Sequence, residues 1–67
     1  MNRVHYNVSG LQNMQIKTQV ENALGKLDGV QMVNVDLQRG SIEVGYNEST
    51  AESEIKQCIA HVGCQIE

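Results

Sequence analysis

The segment CIAHVGC carries three donor side chains at regular spacing, Cys58, His61 and Cys64. Thiolate and imidazole are ligands that zinc and softer ions accept, so C-x-x-H-x-x-C invites a metal reading. A structural zinc site needs a fourth ligand, however, and Cys58 and Cys64 are the only cysteines in the chain. On a helix Cys58 and His61 are neighbours at i and i+3, but Cys58 also flanks an apolar stripe of Ile55, Ile59 and Val62, which favours a place in the core. His61 near the end of that helix is accounted for by the attraction between a protonated imidazole and the helix C-terminal dipole. A thioether, Met14, stands at the entry to an earlier helical pattern, and His5 alternates outward in a strand-like run, a solvated position. No Ser-His-Asp or Cys-His set has nucleophile-base spacing, no Gly-rich phosphate loop is present, and Glu52 with Lys56 reads as an i,i+4 surface pair. The pattern is that of a non-enzymatic protein.

What positions these donors is a regular succession of short elements. RVHYNV sets Val4, Tyr6 and Val8 against Arg3, His5 and Asn7, the period of a strand with one buried face. Ser9 and Gly10 break it. From about Asn13 the period changes, and Ile16, Val20, Ala23, Leu24 and Leu27 share one stripe of a helix, with Asp28 and Gly29 expected to stop it and Gly29 to supply the left-handed cap. VQMVNVDLQ then places Val33, Val35 and Leu37 on one face, and SIEVGY places Ile42, Val44 and Tyr46 likewise. Arg39 and Gly40 between them offer a tight turn, so the two runs read as a hairpin. In NEST, Ser49 or Thr50 is expected to cap the next helix, with Glu52 completing a capping box. Gly63 should end that helix, and CQIE should form a last strand in which Cys64 and Ile66 share a face.

The order is βαββαβ, an α+β arrangement. Short connections and right-handed crossovers lay both helices on one face of a four-stranded antiparallel sheet, the ferredoxin-like sandwich. The other sheet face would carry His5, Asn34, Glu43 and Gln65 and stand open to water.

Composition narrows the function further. A chain of 67 residues forms one small domain, 1-67, that buries about 60% of its unfolded surface and has little room for a deep cleft. With no Trp, Phe or Pro, its core must be built from Val, Ile, Leu, Ala and Met. A net charge of -3 leaves no basic stripe for nucleic acid, and Tyr6 and Tyr46 both point to the helix side, so the open face has no platform for stacking bases. MNRVHYNV lacks the apolar run of a signal peptide and no stretch reaches the length of a membrane span, so the expectation is a cytoplasmic protein with no membrane insertion and free thiols.

Together, YNVSGL, VENAL, GVQMVNVDLQRGSIEVGY and EIKQCIAHVGCQIE resemble the heavy-metal-associated domains of copper chaperones and of metal-pumping P-type ATPases, over nearly the whole chain. In that family a loop of the form GMxCxxC follows the first strand, and its two thiolates hold Cu(I), Zn(II) or a related soft ion. Lined up on Gly10 and Leu24, the cysteine positions fall on Asn13 and Ile16, and Leu11 stands where the Met usually does. Asn13 suits a helix N-cap and Ile16 extends the apolar stripe by a turn, so the site reads as filled with structural residues.

The resemblance also sets Cys64 where the family usually has Tyr, Phe or His close to the metal loop, and hence near Met14. Thiolate and thioether together are a soft-donor pair for Cu(I), with a third donor from a partner chain. The other reading of Cys64 is a small buried hydrophobe. A position just after Gly63 leads us to expect a partly exposed, reactive sulfur, unlike Cys58 in the helix flank. Two functions follow from the resemblance. One is a metal-trafficking protein with its dicysteine site lost and a soft ion such as Cu(I) held through Cys64 and Met14. The other is a metal-free interaction module that docks to a metal-transporting ATPase or to itself.

Overall fold

The computed structural model describes residues 2–67. The elements are β1 (Asn2–Ser9), α1 (Met14–Gly25), β2 (Val30–Asp36), β3 (Ser41–Tyr46), α2 (Glu52–Val62) and β4 (Gln65–Ile66). The strands form one antiparallel sheet in the order β2-β3-β1-β4. This is the expected βαββαβ sandwich. Val20 and Leu24 of α1 and Ile55 and Ile59 of α2 are fully buried, and with Tyr6, Val8, Val35, Ile42 and Val44 from the sheet they make one core. Helices whose apolar stripes close over a single face leave the opposite face to water. There His5 and Asn34 both stand across from Glu43 in the strand register. His5, Asn34 and Gln65 are exposed and Glu43 is half-buried.

Four local expectations fail. α1 stops at Gly25 with Lys26 as its right-handed cap, before Asp28 and Gly29. Gly29 instead shapes the entry to β2: its φ is 91°, its carbonyl accepts the Asn47 N–H at 2.8 Å, and a Cβ there would stand 2.5 Å from Asn47 Oδ1. Neither Ser49 nor Thr50 caps α2, whose N-cap is Ala51 with no side-chain hydrogen bond. The Asn47 carboxamide turns the chain inward by accepting the Ser49 N–H at 2.9 Å, which leaves the Thr50 hydroxyl buried without a partner. Glu52 forms no capping box. Its carboxylate accepts the Tyr6 hydroxyl at 2.9 Å and lies 3.9 Å from Lys56 Nζ, tying β1 to the start of α2. Leu37 falls just outside β2, in the turn where Asp36 Oδ1 accepts the Arg39 N–H, and still packs against the core.

The end of α2 is as expected. Gly63 adopts φ 111°, and the N–H groups of Gly63 and Cys64 fold back onto the carbonyls of Ala60 and Ile59. Both orphan carbonyls are thereby satisfied, and the chain reverses sharply into β4.

Candidate metal site

The Gly10–Asn13 loop leaves β1 with Gly10 at φ 96°, a conformation that L residues with a side chain rarely take. Gly10 also sits tightly against the other end of the chain. A Cβ added there would lie 3.2 Å from the Gly63 carbonyl oxygen, 3.5 Å from Cys64 Cα and 4.0 Å from Cys64 Sγ. The first loop and the Gly63 turn are therefore in contact, and Cys64 lies beneath that contact.

At the helix entry, Asn13 has the extended backbone of an N-cap, and its side-chain oxygen accepts the Ile16 N–H at 3.0 Å. Its amide oxygen is thus engaged in satisfying one of the free amides of the first turn. Ile16 is half-buried against the core. Both residues act as the capping and packing reading expects, and the same hydrogen bond links them.

Met14 and Cys64 differ sharply in access. Met14 is 62% exposed, while its carbonyl accepts the Thr18 hydroxyl at 3.0 Å. Cys64 is 1% exposed, and burial pushes its thiol pKa above the ordinary value. The expectation of a partly exposed, reactive Cys64 is therefore corrected. The turn at Gly63 directs the side chain inward, and the absence of a Cβ at Gly10 lets the loop close over it. Cys58 is the more accessible thiol, half-buried with its sulfur 4.0 Å from the Ala23 carbonyl oxygen. The sequence misses this inversion because Gly10 closes over Cys64 from more than fifty residues away.

The C-x-x-H-x-x-C residues do not converge. Cys58 and His61 line a groove between α1 and α2, whereas Cys64 borders a separate hollow against Lys56, Ala60 and Ile66. Among the described residues no group of three or more His, Cys, Asp or Glu side chains is arranged to hold a metal ion.

No family model matches the chain. Its kinship is visible in whole-length relatives. It is 36% identical over 61 residues to the copper chaperone CopZ of Staphylococcus aureus, which covers 90% of each sequence. Among solved structures, a CopZ metallochaperone superposes with a TM-score of 0.93 at 33% identity, over 98% of this chain and 100% of that one. A copper binding domain from HMA7, a P-type ATPase, gives 0.92 at 26% identity, over 100% and 92%. The fold and these whole-length likenesses define a heavy-metal-associated domain. The chain belongs to that family of copper chaperones and P-type ATPase domains.

Proposed function

We propose that the protein is a non-enzymatic member of the soft-metal trafficking machinery, with copper as its cargo, in which the first loop has exchanged a dicysteine ion site for a helix cap. The observation that carries this reading is the hydrogen bond from the Ile16 N–H to the Asn13 side chain, at the two positions where the family likeness calls for thiolates. An amide oxygen is a hard donor and isoleucine offers none, so Cu(I) finds no thiolate there. The soft donors left at this end are Met14 and Cys64. One is in solvent and the other is sealed beneath Gly10. Capture of Cu(I) by this pair requires the β4 corner to loosen, and a third donor comes from a partner, a metal-transporting ATPase or a second copy. The setting is cytoplasmic, where thiols stay reduced.

Changing Asn13 and Ile16 together to Cys tests the reading. The fold superposes on a CopZ metallochaperone over 98% of the chain, which supports a similar loop, so the double variant should gain tight Cu(I) binding in competition with a chromogenic chelator, far above wild type. A folded double variant with wild-type affinity would refute it.

A second reading, with which the burial of Cys64 agrees, is a metal-free docking module of the same trafficking system. In that case the protein purified without tags under reducing conditions contains no copper, and Cys64→Ser leaves its metal content unchanged.

A further inference from the structure

The groove between α1 and α2 has a volume of about 380 Å³ and is walled by Ala23, Leu27 and Val62. Cys58 and His61 open into it together from α2. Side chains three apart on a helix stand about 5 to 6 Å apart at Cβ, so the Cys58 sulfur, now 4.0 Å from the Ala23 carbonyl, and the His61 ring would share one ion after a rotation of the thiol. Cys58 is half-buried and His61 exposed, so the pair is reachable from solvent without unfolding, which Cys64 is not.

The lack of any three-donor cluster rules out ions that demand three or four protein ligands, among the described residues. Soft monovalent ions need only two, and thiolate with imidazole is a donor set they accept. His61 lies in the last turn of α2, an 11-residue helix whose C-terminal end carries the negative pole of its dipole. That pole favours a cation there. The apolar walls suit an ion that holds its water less tightly than a hard cation would.

We propose that Cys58 and His61 form a two-donor site for a soft monovalent cation of the Cu(I) class, on the helical layer and away from the family's loop. On binding, the Cys58 thiol gives its proton to water and a sulfur–copper bond forms. The neutral imidazole of His61 donates a ring lone pair, and the ion remains Cu(I) throughout. The site takes the identity of its ion from the copper reading above but depends on no residue of the first loop.

The test uses the whole reduced chain under anaerobic conditions, titrated with Cu(I) against a chromogenic chelator, with X-ray absorption to identify the coordinating atoms. Wild type should take up one Cu(I) with one sulfur and one nitrogen in its first shell. Cys58→Ser should lose uptake and His61→Gln should lose the nitrogen and weaken binding, while His5→Gln, exposed on the open sheet face, binds as wild type does. His61 is exposed, so His61→Gln keeps the fold and carries the test even where Cys58→Ser destabilises the helix pair. Unchanged uptake and no nitrogen signature lost in His61→Gln overturns this site and leaves the copper reading standing at the loop. A wild-type chain that takes up no Cu(I) overturns this site, while the reading of the first loop stands or falls with the Asn13 and Ile16 double variant.

Discussion

Replacing Cys64 with Ser changes one atom, yet the surroundings of that atom make the change costly. The thiol is 1% exposed and shares the core with Val8, Ile55 and Ile59, so the new hydroxyl exchanges water for an apolar environment. Burying a hydroxyl without a matching hydrogen bond costs about 1 to 3 kcal/mol in proteins. A domain of this size has a total stability of about 3 to 10 kcal/mol, so a substantial fraction is at stake. With a urea slope of about 1 kcal/mol per molar for a small chain, the unfolding midpoint should fall by about 1 to 3 M. Far-ultraviolet circular dichroism follows the transition, and an unchanged slope confirms that the denatured state is not what moved. Cys64→Ala provides the control, since it shortens the side chain without introducing a polar group. An unshifted midpoint for Cys64→Ser at unchanged slope would mean that the sulfur is not packed as described.

Other perturbations follow from the same geometry. Asn13→Ala removes the cap on Ile16 and should cost about 1 kcal/mol, read as a lower urea midpoint, whereas Asn13→Ser should retain most of it. Gly29→Ala combines a left-handed backbone with a Cβ pressed on Asn47, and should destabilise by more than the ~1 kcal/mol that separates Ala from Gly at such a position. Alkaline stability should fall in two stages. Burial raises Cys64 from 9.0, and burial with the Glu52 hydrogen bond raises Tyr6 from 10.0. A raised folded pKa means that the unfolded state releases its proton first, so both contributions are complete below pH 9.0 and are lost as pH climbs past those unfolded values. Urea midpoints measured from pH 8 to 11 should decline, and Tyr6→Phe should remove the later part of the decline.

The parts legible in the sequence were those set by local pattern. Alternation in RVHYNV and SIEVGY found the two central strands, and the apolar stripe through Val20 and Leu24 found α1. Asn13 and Gly63 were read correctly because a cap is a property of a few consecutive residues. The failures come from a competing local turn or from partners far away in sequence. Thr50 looked like a cap until Asn47 diverted the chain, and Glu52 looked like part of a capping box because nothing local announces that Tyr6, 46 residues earlier, will claim its carboxylate. At the candidate site the capping role of Asn13 was legible, but the relative depth of the two cysteines was not. It depends on Gly10 meeting the Gly63 turn, a contact between the two ends of the fold.

The brevity of β4 gives Cys64 a use as a clock. That strand pairs with β1 only at Val8 and Ser9, reinforced by the Glu67 N–H on the Asn7 carbonyl and the Cys64 N–H on Ile59. So small a set of hydrogen bonds opens at far lower free energy than the core does. A thiol sealed under such a corner is labelled at a rate fixed by how often the corner lifts. With a fast thiol reagent, Cys58 should react in an immediate phase and Cys64 in a slower one, whose rate at low urea barely depends on denaturant because little surface is exposed in the opening. Above the crossover to global unfolding the same rate should acquire the full urea dependence. The two regimes would give, from one native sulfur atom, both the opening frequency of the C-terminal edge and the stability of the whole domain.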